Sequence, residues 1–564
     1  MKRCPECNRV ETDDALVYCR VDGATLLSDS ASAASEIETS ILSHKTNASV
    51  DRPTAPTTAL PLTPPPATTH QLRKPKLPII LIAVGAVMGL VVIVLVVVAA
   101  GNYFYHARRN TAAIQSIAVM PLVNESGNPD NEYLSDGMTE TLISSLSQLP
   151  NLSVKARSSV FRYKGRATDA KTIGKELNVQ AILNGRVVQR GDQLTLGLEL
   201  VDAQTENVIW SERYYRKPAD LISLQTEIAR DVSRKLKSKL SGVEEQRVTK
   251  NYTENVEAYQ LYVKGRSHWN RRTMPDLQKS IEYFNQAIAI DPNYALAYAG
   301  LADAYSNLAE HAGTARDTAT KSREAARKAI SLDDNLAEGH AALAHEISKS
   351  DYDFAGAERE FRRALELNPN YATAHQWYGN LLSVLGRHEE SLAELRRALE
   401  LDPFSLIINK NHGDSLRQAR RYDESIAQLK KTIELNPNFP QAHQSLHEAY
   451  LVVGKYAESV DEFARQQEAR GDPKAAALVR ESYARNGWPG FLRLMTSEAH
   501  PIKMWVNELA VYHAALGEKD DAFNLLDRAY NERRLFLLKV DPLYDPLRDD
   551  PRFQALVKKV GFPQ

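Results

Sequence analysis

Residues 372–403 read ATAHQWYGNLLSVLGRHEESLAELRRALELDP. His375, Tyr378, Gly379 and Leu382 recur at the spacing of one helix face, and Ser391, Leu395 and Ala398 do the same in a second helix. Small residues let two antiparallel helices cross closely, an aromatic or Leu fills the space between them, and Pro403 stops the second helix because its ring cannot continue the ladder. Pro369, Pro403 and Pro437 punctuate the chain, each 34 residues after the last, behind Leu367-Asn-Pro369, Leu401-Asp-Pro403 and Leu435-Asn-Pro437. Pro292 and Pro473 continue the series with insertions. Phe284 and Ala287 before Pro292, and Ala357, Phe361 and Ala364 before Pro369, repeat the small and aromatic slots.

Several slots recurring together at this period resemble the tetratricopeptide repeat, which predicts an all-α superhelix over residues 255–470 built from six helical hairpins. Residues 471–564 read as divergent repeat helices, with Leu509, Ala510, Gly517, Ala522, Leu526 and Ala529, and a final helix Arg552–Val560 expected to cap the open end of the array. The resemblance implies that slots two, five, nine and twelve of each first helix face a ligand on the concave side. In repeats four and five these hold Thr373, Gln376, Asn380 and Ser383, then Ile407, Lys410, Asp414 and Arg417. Asn380, Lys410, Asp414 and Arg417 are the candidate peptide-binding residues, the cations gripping a peptide carboxylate, with an ordinary solvated surface as the alternative. The Lys-and-Asn clamp of chaperone-tail binders is not reproduced. His443 and His447 stand four apart, a metal-ligand spacing, but occupy slots four and eight, which pack against neighbouring helices.

Upstream, residues 114–240 read as an α/β domain of order βαβαβββα. Ile117-Ala-Val-Met-Pro-Leu122 is a short buried strand. Leu134, Met138, Leu142, Leu146 and Leu149 follow on one helix face, and Leu152–Ala156 is a second strand. Ala170–Leu177 is helical, Arg190-Gly-Asp192 is a hairpin turn between two alternating strands, Val208–Tyr215 adds another strand, and a closing helix runs over Ala219–Leu240. Tyr133-Leu-Ser-Asp-Gly-Met138, Val154-Lys-Ala-Arg-Ser-Ser159, Phe161-Arg-Tyr-Lys-Gly165 and Ile209-Trp-Ser-Glu-Arg-Tyr214 resemble the FlgO-type or TolB-amino-terminal-like domain of bacterial envelope proteins. That resemblance implies an envelope or signalling module without a catalytic residue. Asp130, Glu132, Asp136 and Glu140 would complement a helix N-terminus, and Lys164-Gly-Arg166 could favour an anion.

Towards the N-terminus, Ile79–Ala100 is 22 residues without a charge, 15 of them Ile, Leu or Val. At about −0.3 to −0.6 kcal/mol per aliphatic, insertion is favoured by roughly 5–9 kcal/mol, and the length matches a hydrocarbon core of ~30 Å. Residues 77–101 therefore read as one transmembrane helix. Gly85 and Gly89 form a GxxxG through which two copies could pair as a homodimer. Arg73, Lys74 and Lys76 on the near side orient the N-terminus to the cytoplasm of a bacterial inner membrane, leaving the C-terminal domains periplasmic or extracytoplasmic. Residues 28–76, rich in Ser, Thr, Ala and Pro, read as a disordered linker. In residues 1–27, Cys4-Pro-Glu-Cys7 and Cys19-Arg-Val-Asp22 have the form CxxC…CxxD. Three thiolates and a carboxylate can complete a tetrahedral structural zinc site resembling the zinc-ribbon heads of bacterial membrane proteins, with a metal-free reduced tail as the alternative.

Composition bounds the function. Seventy basic against 71 acidic side chains make no electrostatic case for nucleic acid. No GxxxxGK[ST], GxSxG or HExxH occurs, and no cysteine follows Cys19. The expectation is a multidomain protein: a small zinc ribbon, one transmembrane helix, an α/β domain and a tetratricopeptide-repeat superhelix. It acts as a membrane-anchored scaffold for a protein or peptide partner and not as an enzyme. The alternative is a transmembrane signalling protein whose α/β domain senses an envelope ligand.

Overall fold

The computed structural model describes residues 114–128, 131–236, 240–312, 315–497 and 501–563, together with 2–3, 10–11 and 27–28. Two units divide the chain, residues 1–97 and 98–564. In the first, β1 (Lys2–Arg3) pairs antiparallel with both β2 (Val10–Glu11) and β3 (Leu27–Ser28). The zinc ligands expected at Cys4, Cys7, Cys19 and Asp22, the 28–76 linker, the 77–101 span and Gly85 with Gly89 lie outside the described residues. Among the described residues, no helix is long and apolar enough to cross a membrane.

The second unit begins with a mixed sheet. Its strands are β4 (Ser116–Val119), β5 (Val123–Asn124), β6 (Ser153–Val154), β7 (Ala181–Arg190), β8 (Gln193–Asp202) and β9 (Val208–Arg216), in spatial order β6-β4-β7-β8-β9, with β5 also on β7. β4 runs parallel to β6 and β7, and the last three strands form an antiparallel meander. Leu194, Leu196, Leu198 and Leu200 alternate inward along β8 and are buried, each contributing about 1.5–3 kcal/mol of apolar burial. They pack with Leu134, Met138, Leu142 and Leu146 of α1 (Glu132–Ser147). Gly191, at φ +56°, makes the predicted turn, opposing Arg190 to Gln193. Helices α2 (Arg157–Phe161), α3 (Ala170–Leu177) and α4 (Leu221–Leu236) complete the domain. The α4 helix begins two residues later than expected because Pro218–Asp220 forms a separate 3₁₀ turn ahead of it. α5 (Gly242–Val248) leads on.

Six helical pairs follow, as the period requires. They are α6/α7 (Val256–Trp269, Met274–Ile290), α8/α9 (Ala295–Ala312, Ala315–Leu332), α10/α11 (Ala337–Glu346, Phe354–Leu367), α12/α13 (Ala372–Val384, His388–Leu401), α14/α15 (Leu406–Gln418, Tyr422–Leu435) and α16/α17 (Pro440–Val452, Tyr456–Ala469). Slot four carries a recurrent polar tie. His375 reaches the Pro369 carbonyl through Nε2 at 3.0 Å and Glu394 through Nδ1 at 2.5 Å. His340 binds the Asp334 carbonyl and Glu360, and His443 the Pro437 carbonyl and Glu462, in the same way. Asn409 substitutes in repeat five, donating to the Pro403 carbonyl and receiving from Gln428. Each tie gives a carbonyl of the turn between repeats a side-chain donor. His447 bonds Ser459 and Tyr512, so this pair of histidines is structural, as the packing reading held.

Beyond α18 (Pro473–Thr496), kinked at Gly487, come α19 (Val506–Leu516), α20 (Lys519–Asn531) and α21 (Pro551–Val560). Here the expectation is corrected: α21 does not cap the far end of the array. Its buried Phe553, Leu556 and Val560 join one core with Phe354, Ala357, Phe361 and Leu382 of repeats three and four. Phe562 stacks on Phe354 at 5.2 Å, and Tyr352 Oη accepts the Leu535 N–H. The apolar face of the last helix thus shares its core with the middle repeats.

The α/β domain is seated on the array. Asn370 Nδ2 donates to the Ser147 and Leu149 carbonyls, and Asn368 Nδ2 to Ser147 Oγ. One turn later, the Ala156 N–H donates to the Leu401 carbonyl, and Ser158 and Ser159 hydroxyls both donate to Asp402. At equivalent turns, Asp291 and Asn436 cap their own loops; Asp402 is diverted to the neighbouring domain. Gly137 on α1 lies against Val263 on α6 so closely that a Cβ there would fall 2.1 Å from Val263 Cγ1.

Candidate functional site

The first helices of the repeats line a chamber of about 970 Å³, within the size of a small-ligand or peptide-segment site. Its wall follows the slot arithmetic. Slots five and nine contribute Tyr262 and Arg266 from α6, Gln376 and Asn380 from α12, and Lys410 and Asp414 from α14. The opposite wall is α1 and α2, through Glu140, Ser144, Gln148 and Arg157, and the C-terminal segment closes it with Phe536 and Leu537.

Three of the four candidate peptide-binding residues, Asn380, Lys410 and Asp414, line this chamber. Lys410 Nζ stands 2.7 Å from Asp414 Oδ2. Burial works against the Lys410 charge, but Asp414 beside it more than offsets this and holds its pKa above the usual lysine value. Arg417 is the departure. Only 2 % exposed, it turns away from the chamber and donates to Asp541 at 2.6 Å and to Glu448 at 2.8 Å. Its cation grips a carboxylate, but one belonging to this chain.

Extended from repeats four and five to the earlier ones, the slot rule finds residues that the sequence reading left out. Slot nine is Arg266 in the first repeat and Asp303 in the second, slot two is Glu338 in the third, and slot twelve is Trp269 in the first, all on the chamber wall. Arg266 Nη2 sits 2.6 Å from Glu140, and Nη1 lies 3.6 Å from Asp303. Glu140 also takes Arg157 at 3.2 Å and Asn270 at 3.1 Å. Burial pushes the Glu140 pKa up, but Arg266 and Arg157 prevail and hold it below the carboxylate range. Asp303 goes the other way, pushed up to about 6 by burial, with Arg266 and Arg272 offsetting only part. Glu338 is likewise raised by burial.

Of the acidic cluster expected to complement the start of α1, Glu132 stands in the first turn and Asp130 lies outside the described residues; the cluster also takes a cation. The N-cap Asn131 makes no side-chain cap bond, while Glu132 and Asp136 hold Lys164 at 2.6 and 2.5 Å. Lys164 is thereby committed to carboxylates and unsuited to an anionic ligand.

The helical pairs are tetratricopeptide repeats, with an α/β domain ahead of them. Tetratricopeptide-repeat family models match residues 272–294, 352–405 and 413–454. The α/β segment, likened above to the FlgO/TolB type, is matched over residues 113–231 by the family described as HilA/YgeH-like transcriptional regulator, second domain. A protein of Rhizobium meliloti (strain 1021) named "Putative adenylate cyclase 3" is 32% identical over 235 residues, covering 41% of this chain and 40% of that relative. The chain thus spans two fifths of the relative's length. Among solved structures, YrrB, titled a TPR protein with an unusual peptide-binding site, is 19% identical over 35% of this chain and 97% of its own, with a TM-score of 0.25. A thermophilic TPR protein of Thermus thermophilus, TTC0263, is 19% identical over 33% of this chain and 96% of its own, with a TM-score of 0.29.

Proposed function

We propose that this chain is a membrane-anchored, non-catalytic scaffold that takes an extended peptide segment of a partner protein into the chamber between its repeats and its α/β domain. The observation supporting this most directly is that concave slots of successive repeats open onto one continuous space of about 970 Å³. A folded partner is too large for it, whereas an extended chain presents backbone groups and side chains to Asn380, Lys410 and Asp414. In this reading the 77–101 span anchors the chain in a bacterial inner membrane with its N-terminus in the cytoplasm, and Cys4, Cys7, Cys19 and Asp22 hold a structural zinc. The test is site-specific photo-crosslinking from position 380 of the full chain in its native membrane. Crosslinks to one peptide segment of another protein are expected; crosslinks confined to the chain itself would remove the proposal. Protease shaving of spheroplasts checks the orientation, since residues 110–564 should be digested.

A second reading is favoured by the seating of the α/β domain on Asp402 and Asn370. A segment bound in the chamber would touch both domains at once, so occupancy could be passed on as a signal. The matched family is described as a transcriptional regulator, and the relative is named "Putative adenylate cyclase 3".

A further inference from the structure

Resting on the peptide-chamber reading, we infer that the first-repeat end of the chamber is a receptor for a basic residue of the bound segment, its side-chain cation held by Asp303 and Glu338 and its carbonyl by Trp269. Asp303 is 4 % exposed, yet its Oδ1 has no hydrogen-bond partner among the described residues. Its nearest cation, Arg266, is already spent on Glu140, at 2.6 and 2.8 Å, and stands 3.6 Å from Asp303 Oδ2. Arg272 lies 3.6 Å over the Trp269 ring and donates to Asn307. Glu338, half-buried, receives a long bond from Ser144 Oγ at 3.4 Å besides one from its own backbone N–H, which leaves it room for a further donor. A buried carboxylate oxygen without a donor, as at Asp303, is unfavourable until a donor arrives. An ammonium or guanidinium supplies several N–H groups and the compensating charge together.

Trp269 determines the source of that cation. Its Nε1–H is buried on the same wall without an acceptor among the described residues. Arg266 neighbours both groups, with its guanidinium 4.3 Å above the Trp269 ring. An unused donor beside an unused carboxylate matches a peptide residue, which carries a carbonyl acceptor close to its side-chain cation. A free polyamine has no carbonyl to offer Trp269.

The test uses the full chain in detergent and fluorescence anisotropy of labelled, end-capped seven-residue peptides with a central Lys, Arg, norleucine or Glu. The Lys and Arg peptides are expected to bind at least tenfold more tightly than the norleucine peptide. Asp303→Asn and Glu338→Gln should each remove most of that preference while leaving norleucine binding unchanged. Should either variant fail to fold, the other carries the comparison. Equal binding of all four peptides, with crosslinking from position 380 intact, overturns the basic-residue claim and leaves the chamber reading standing. No peptide binding together with no crosslinking at position 380 overturns both. Spermidine competing through Asp303 more strongly than the Lys peptide would show an amine site and overturn the peptide source.

Discussion

Arg417 Nη1 donates to Asp541 Oδ1 at 2.6 Å across 124 residues of chain, and Nη2 of the same guanidinium reaches Glu448 at 2.8 Å. A single buried cation therefore ties repeat five to repeat six and to the returning C-terminal segment. Replacing it by Leu leaves the buried Asp541 and the half-buried Glu448 without their counter-ion. Arg417→Leu is expected to cost about 3–5 kcal/mol, read as a shift of the urea midpoint. Asp541→Asn, which keeps the shape and leaves Glu448 as counter-ion, should cost much less; an Arg417→Leu variant as stable as the wild type would show that the charge is immaterial.

Gly137 permits α1 to touch α6. Because its Cβ would fall 2.1 Å from Val263 Cγ1, Gly137→Ala should destabilise by about 1–3 kcal/mol through overpacking. Val263→Ala opens the space, so a double-mutant cycle should recover part of that loss. Additive effects in the cycle would mean the two helices do not press on each other there.

Asp402 accepts from Ser158 and Ser159 instead of capping its own turn. Asp402→Ala leaves both hydroxyls without an acceptor, a cost of about 1–3 kcal/mol. Amide exchange over residues 153–163 should rise while the repeats distant from the seam stay protected. Uniform exchange across the chain would indicate global loosening instead.

Burial holds the His447 pKa down at about 4, against an ordinary value near 6.5. The native state therefore resists a proton that the unfolded chain accepts, and this stabilisation, complete above about pH 6.5, is lost as pH falls towards 4. His340 and His443 work in the opposite sense: burial lowers their pKa, but Glu360 and Glu462 raise it further, so their contribution fades as pH rises past the ordinary value. Glu448, raised to about 7 by burial, also gains its proton on folding. The readout is thus a difference. The stability gap between the wild type and His447→Asn should shrink from pH 7.5 to pH 5, and a constant gap would refute the assignment.

Much of the site was legible in slot arithmetic, because one helical hairpin per repeat fixes which residues turn inward. Asn380, Lys410 and Asp414 follow from it, and so do Asp303 and Glu338 once the count is carried upstream. Arg417 occupied a slot of the same kind and was drawn elsewhere, since a carboxylate 124 residues away competed for it. Glu140 sat in an apparent capping cluster, and nothing local marked it as the partner of Arg266. Local pattern reports which face a residue takes, not which distant group meets it there.

The sequence by itself determined the repeat period, the six hairpins and most elements of the α/β domain, though not the short strand β5, the helix α2 or the spatial order of the strands, because hydrophobic spacing and turn residues act over a few positions. Only the tertiary structure decided that the α/β domain rests on the turns at Asn370 and Asp402, that α21 folds back onto repeats three and four, and that a chamber is left between them. Those arrangements depend on surfaces matching in shape and hydrogen bonding across more than a hundred residues, and no short stretch of chain encodes such a match.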